Sequence, residues 1–253
     1  MADVFAVQDE ITSLTVSILA SARGVVATTA GRRLAVNKAP EDMAAYELVL
    51  RFRALEAGAW TKENFLSVKG LLERAIEIDP NYAGAHTEMA RWALLGWVLE
   101  PDQSPQPPVT IKEAAMKAVG LDPGDPMANL AAPWGHFFDH QLDRFETLVR
   151  RAVELSPNDA LVLAEVGVMA GFRKEWECGV ALVIKARALN RRSTGGWYHS
   201  GLFYDHYLKG EYDEAVAVVR RHPLQGLNET NVKYVLGYAQ LDRPDQIKSS
   251  WTS

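Results

Sequence analysis

The sequence predicts an all-α protein, a right-handed α-solenoid of antiparallel helix pairs, on three observations. First, the segment Leu71–Pro80 (Leu-Leu-Glu-Arg-Ala-Ile-Glu-Ile-Asp-Pro) recurs as Met116–Pro123, as Val149–Pro157 and, without its proline, as Val183–Asn190. Second, each copy carries an alanine five residues before the proline position, and Ala118, Ala152 and Ala186 follow one another at steps of 34 residues. Third, the first three copies end on Asp-Pro or Ser-Pro, which stops a helix because proline lacks the N–H and clashes with the preceding turn; in the fourth, Asn190-Arg191-Arg192 replaces it. A unit of this length cannot bury its apolar face alone, so it must stack on its neighbours.

The elements follow in order. Val4, Val7, Ile11, Leu14 and Ile18 form one narrow apolar stripe over Asp3–Ala22, a helix at alternating steps of three and four. It either docks on the first repeat or forms the seam of a homodimer. Gly24–Pro40, with Gly31-Arg32-Arg33, reads as a solvated linker, so residues 1–40 are set apart from a repeat domain over 41–253. Pro40-Glu41-Asp42 opens the first repeat helix with acids at its positive end. It runs to about Ala57, and Thr61 caps its partner Lys62–Ile78. The second repeat begins at Asn81-Tyr82-Ala83, runs as a helix to about Leu99 and resumes at Thr110–Gly120. Between them Glu100–Val109, with four prolines, reads as an inserted loop and explains the longer first step, 43 residues from Ala75 to Ala118. The third repeat pairs Pro126–Phe138 with Leu142–Leu155, and the fourth pairs Asp159–Phe172 with Lys174–Leu189. In the fifth, Trp197–Lys209 is followed by Gly210-Glu211-Tyr212-Asp213-Glu214-Ala215 and closes at Arg221-His222-Pro223. A last helix, Asn231–Leu241, with the polar residues after it, suits a terminal cap. The whole is about five repeats between an N-terminal and a C-terminal helix.

Bulk properties exclude several function classes. A net charge of −5 argues against a nucleic-acid partner, which calls for a basic surface. The single cysteine, Cys178, rules out internal disulfides and thiolate-rich zinc sites, and it reads as a buried structural thiol. The acidic N-terminus is unlike a signal peptide, and the apolar run Ala160–Phe172 contains Glu165 and is too short for a bilayer. A cytoplasmic chain without a membrane partner is expected. Phosphate-binding, dinucleotide-binding and nucleophile-elbow glycine motifs are missing, so neither a cofactor nor an enzymatic activity is expected of this chain. His136, Asp139 and His140 share metal-ligand spacing, yet Phe137 stands where a zinc hydrolase needs Glu. They read as a packed histidine and a turn histidine, with no metal site. His199 and His206 are too far apart on one helix to share an ion, about 10 Å at 1.5 Å per residue.

The 34-residue period, Gly210–Ala215, the Ala…Asp-Pro helix ends and the small Gly167 resemble tetratricopeptide repeats over roughly Glu41–Leu241. The third repeat departs from the pattern at Pro133 and Phe145. The resemblance implies a concave groove lined by the first helix of each repeat. Carried onto this sequence, its positions are Thr87, Arg91, Leu94 and Leu95; Met127, Leu130, Trp134, Phe137 and Phe138; and Trp197, Ser200, Tyr204, Tyr207 and Leu208. Arg91, Trp134, Phe137, Phe138, Trp197, Tyr204 and Tyr207 are the candidate binding residues. Aromatics with a polar handle and arginine anchor protein interfaces, so the expected partner is a peptide or protein segment. Two alternatives stand beside this: the aromatics pack on the next repeat, or Trp134, Phe137 and Trp197 hold a small apolar effector. A clamp for a chain-terminal carboxylate, made of a lysine with asparagine four residues on, is not present.

A narrower resemblance rests on Asp3–Ile11, Ala44–Leu48 and Trp60-Thr61-Lys62-Glu63 ahead of Leu71–Pro80. These segments look like the C-terminal half of bacterial multidomain signalling proteins. Such proteins carry a class III adenylate/guanylate cyclase domain, or a winged-helix domain, before their repeats. The resemblance implies a fragment whose catalytic or DNA-binding module lies outside this chain.

Overall fold

The computed structural model describes residues 15, 29–31, 33, 43–56, 62–99, 107–173, 175–190, 199–222 and 228–246. Most of the expected helix Asp3–Ala22, the Thr61 cap, the loop residues 100–106 and Trp197 lie outside them. Helices are the only extended elements among the described residues. They are α1 (Ala45–Glu56), α2 (Lys62–Ile78), α3 (Ala83–Leu99), α4 (Pro107–Leu121), α5 (Pro126–Phe138), α6 (Leu142–Leu155), α7 (Ala160–Phe172), α8 (Trp176–Leu189), α9 (Ser200–Leu208), α10 (Tyr212–Arg221) and α11 (Asn228–Gln240). The chain forms two compact units, Met1–Val162 and Leu163–Ser253. In the first, α1 pairs with α2, α3 with α4 and α5 with α6, while the first helices also touch in series, α1 on α3 and α3 on α5. In the second, α8, α9, α10 and α11 pack in sequence. This is the expected all-α, tetratricopeptide-like class of antiparallel helix pairs. None of the described helices is long and apolar enough to cross a membrane.

Two turns are used again and again. Ala75, Ala118, Ala152 and Ala186 are all fully buried. The carbonyl of each accepts the last helical hydrogen bond, from the N–H of Asp79, Asp122, Ser156 and Asn190 respectively. The chain then folds over the proline, with Tyr82, Asp125 and Asp159 donating back to Asp79, Asp122 and Ser156. Asp125 and Asp159 cap the next helices by accepting from Met127 N at 2.9 Å and Leu161 N at 2.8 Å. The second turn, from first helix to second, needs one residue in the left-handed region. His140 (φ 57°), Gly210 (φ 80°) and Asp242 (φ 54°) supply it after α5, α9 and α11. In each case the following N–H returns to the carbonyl five residues back: Gln141 to His136, Glu211 to His206 and Arg243 to Tyr238. By this sign α11 ends as the first helix of a sixth repeat.

Three local expectations need correction. Helix α4 starts at Pro107, three residues before the predicted Thr110. Prolines in a first turn forfeit only N–H groups that have no helical acceptor there. Cys178 is exposed rather than buried. The packed residues of α8 are Gly179, Val183, Ala186 and Leu189, three and four apart, and Cys178 stands about 100° off that stripe. In the stretch read as a linker, Thr29–Gly31 and Arg33 are helical, and Gly31 lies against the Leu50 carbonyl and Ala54 of α1. The departures in the third repeat are absorbed. Helix α5 runs through Pro133, and the Asn129 amide donates to the carbonyls of Pro123 (3.0 Å) and Asp125 (2.9 Å).

Glycine-mediated contact between α7 and α8 is directly testable. A Cβ on Gly167 would meet Gly179 O and Val183 Cγ2 at 2.7 Å, whereas one on Gly70 would meet nothing within 4 Å. We expect Gly167→Ala to destabilise the protein by about 1–3 kcal/mol. Gly70→Ala, in mid-helix, should stabilise it by about 0.5–1 kcal/mol. Denaturant melts of the two variants read the opposite signs.

Candidate functional site

In the first unit a polar layer links the first helices. Arg53 on α1 donates through Nε to Oε1 of Glu88 on α3 at 2.6 Å. Arg91, one turn along α3, brings its Nε to 3.7 Å from the other carboxylate oxygen. Glu88 is 1 % exposed and so bridges two guanidinium groups almost out of water. Burial works against the charge on Arg53, but the Glu88 charge and its hydrogen bond outweigh it, and the pKa of Arg53 is raised. Thr87, also buried, donates to Ala83 O at 3.1 Å and reaches Asp125 Oδ2 at 3.5 Å. Burial pushes the Asp125 carboxyl upward, opposed by the Met127 N–H and by Arg53. The layer therefore runs from α1 through α3 to the cap of α5, and it fixes where the Arg91 side chain stands.

The aromatic candidates of the same unit sit together on α5. Trp134 meets Phe137 edge-on at 6.0 Å, Phe137 meets Phe138 edge-on at 5.8 Å, and Phe137 leans on Phe145 of α6 at 5.7 Å. Phe145 is buried, whereas Trp134, Phe137 and Phe138 each keep part of their surface in solvent. Met127 and Leu130, also at groove positions, are fully packed and offer nothing to a partner. Gly135 allows this helix to press on α4, since a Cβ there would meet Lys112 Cα and Cβ at 2.7 Å.

In the second unit Tyr204 and Tyr207 are likewise half-buried. Tyr207 stacks on Phe203 (5.8 Å), meets Tyr212 edge-on (5.4 Å) and accepts from Gln240 Nε2 at 3.4 Å. Tyr204 lies edge-on to Phe203 at 5.2 Å, with Lys233 Nζ of α11 at 5.5 Å from its ring. Both tyrosines are thus engaged by the next repeat. Trp197 lies outside the described residues.

The histidines singled out by spacing hold turns. His136 Nδ1 bonds Gln141 Oε1 at 2.8 Å, and His206 Nδ1 bonds Glu211 Oε2 at 2.6 Å, the same staple across the same turn in two repeats. Asp139 is paired with Lys112, whose hydrogen bond holds its carboxyl below the usual range, and Asp205 accepts from Lys209 at 2.8 Å. His199 is 5 % exposed and stacks flat on His222, with ring centres 3.4 Å apart. Its pKa is lowered to about 4, first by burial and then by the positive charges of His222, Arg187 and Lys233. Among the described residues no cluster of three or more His, Cys, Asp or Glu is arranged to hold a metal. Reading by repeat position missed Arg53 and Glu88. The signal was there, because 35 residues, one more than the repeat, separate a cation and an acid on successive first helices.

No protein-family model matches the chain, and no curated protein matches it in sequence. Solved structures do match in fold. A human IFIT1 dimer with m7Gppp-AAAA superposes with a TM-score of 0.67 at 12% identity, over 89% of this chain and 53% of that one. A thermophilic tetratricopeptide protein of Thermus thermophilus gives 0.55 at 18%, over 83% and 100%. Pseudomonas aeruginosa pilF gives 0.52 at 16%, over 84% and 90%. The chain spans about half the length of the IFIT1 chain it matches. At these identities the likeness is one of fold alone, a helical-repeat architecture.

Two consequences of this geometry can be measured. Glu88→Ala leaves two guanidinium groups facing each other in a mostly dry site, and a loss of about 3 kcal/mol is expected in urea melts. The lowered pKa of His199 means that the unfolded chain takes up its proton first as the pH falls. Stability should therefore decline from about pH 6.5 toward pH 4, by roughly 2 kcal/mol after allowing for solvent screening. His199→Gln should flatten this acid-side slope.

Proposed function

We propose that this chain is a non-enzymatic scaffold that holds a peptide or protein segment on the first-helix face of its first unit. In this reading it is the regulatory part of a larger bacterial signalling protein. The observation that carries the reading is the pairing of partly exposed aromatics on α5 with an arginine on the adjacent α3 whose position is set by Glu88. Large rings bury much area at small cost in side-chain freedom, and a pre-positioned guanidinium spares part of the ordering cost of binding. Trp134 and Phe138 would fill gaps between partner side chains, and Arg91 would select a partner with an acceptor opposite it. The RNA cap in the IFIT1 structure belongs to that protein. A net charge of −5 favours a polypeptide over a nucleic acid here.

The signalling assignment rests on the resemblance of Asp3–Ile11, Ala44–Leu48 and Trp60–Glu63 to bacterial cyclase and regulator proteins. The cyclase-fragment reading differs from the scaffold reading in what is encoded upstream. A cyclase or winged-helix domain in the same reading frame would support it, and an unrelated upstream gene would remove it.

The binding face is tested by affinity capture from the source organism with quantitative readout. Arg91→Ala and Trp134→Ala should each cut recovery of the specific partner about tenfold, the effect of losing roughly 1.4 kcal/mol. Leu142→Ala, at an exposed position of α6, should leave recovery unchanged. Undiminished recovery with both groove variants would overturn the assignment of the face.

A further inference from the structure

At the start of α9 the second unit has a small recess lined by His199, Ser200, His222, Thr230 and Lys233 above a floor of Phe203, Val218 and Val219. Its free volume is about 10 Å³, the room of one oxygen atom or one water. Nδ1 of His199 is buried here and has no hydrogen-bond partner. An orphaned polar atom on a side chain 95 % out of water costs free energy, and it points to something that enters and pairs with it.

The surroundings define the chemistry of that ligand. Lys233, itself buried, donates one of its three ammonium hydrogens to Ser200 Oγ at 2.6 Å and lies 5.9 Å from the Phe203 ring centre. Thr230 adds a second hydroxyl to that of Ser200, and the first turn of α9 adds the positive end of a helix. Among the described residues the charged groups acting on His199 are His222 from the end of α10, Arg187 from α8 and Lys233 from α11, and all are basic. Those acting on His222 are Arg187 and Arg221, again basic. Among the described residues no carboxylate acts on either imidazole, and two charged rings stacked at 3.4 Å would repel.

We propose that this recess is a carboxylate-binding site. One carboxylate oxygen occupies the recess and accepts from His199 Nδ1–H, Lys233 Nζ and the neighbouring hydroxyls, while the rest of the group projects past the half-buried His222 and Thr230. Binding in mildly acidic solution draws one proton from solvent onto the imidazole pair, because the anion removes the repulsion that keeps it neutral. No covalent bond changes. The carboxylate comes from a free small organic acid or from an acidic side chain, and the site lies wholly within the second unit, so it is independent of the binding face proposed above.

Nitrogen-15 NMR of the imidazoles in the full chain tests this at constant ionic strength, with sodium formate and the peptide acetyl-Ala-Glu-Ala-amide as probes and sodium chloride as the reference. Saturable shifts of His199 and His222, with the proton affinity of His199 raised about tenfold, are expected from formate. A response to the peptide as well assigns the site to acidic side chains, and a response to formate alone assigns it to a free acid. Both outcomes support a carboxylate site. Lys233→Met should abolish the response. If that variant does not fold, Thr230→Val should weaken binding several-fold with the circular dichroism spectrum unchanged. The absence of saturable shifts from both probes, or equal shifts from chloride, would overturn the proposal. So would an undiminished response in a folded Lys233→Met or Thr230→Val variant.

Discussion

Close approach of helix backbones at alanine and glycine is the constraint on which the rest of the structure depends. Ala75, Ala118, Ala152 and Ala186 have no exposed surface, and Gly167 and Gly179 touch so closely that neither tolerates a Cβ. A larger side chain at any of these points would separate a pair of helices and open gaps along the whole contact, since interiors are packed to crystal-like density. The Asp-Pro and Ser-Pro ends then act with these small residues. They stop the second helix at a fixed distance past the contact and return the chain for the next pair.

Regular packing of this kind leaves the first helices to differ. In the first unit they are joined by a buried polar layer in which one carboxylate serves two arginines. Such a layer adds little net stability, because desolvation offsets most of the attraction. Its effect is positional: Arg91 cannot leave Glu88 cheaply, so its place on α3 is held. In the second unit the corresponding tyrosines also meet Lys233 and Gln240 of α11. The same repeat positions thus carry half-buried rings in both units, with added contacts to α11 in the second.

This difference explains what could be read from the chain directly. The fold was legible because its determinants are local and periodic: an alanine, a helix stop and a left-handed turn residue at fixed intervals. Pro107 and Pro108 misled, since proline forbids a helix interior but not a first turn. Cys178 misled because one position along a helix changes the face by about 100°, and apolar character alone does not give that phase. For the candidate site, repeat phase located Arg91, Trp134, Phe137 and Phe138 on first helices. It could not tell that Tyr204 and Tyr207 also meet Lys233 and Gln240, because those contacts depend on the path of α11. The Arg53–Glu88 pair and the stacked His199 and His222 arise between helices, where no single segment reveals them.

The central claim is that the first-helix face of the first unit receives a polypeptide partner. Site-specific photo-crosslinking in cells tests it most directly, with a benzophenone side chain placed at position 134 on α5 or at position 142 on α6. The account predicts a discrete protein adduct from position 134 that is lost when Arg91 is replaced by alanine, and no adduct from position 142. Equal adducts from both positions, or an adduct from 142 alone, would contradict it.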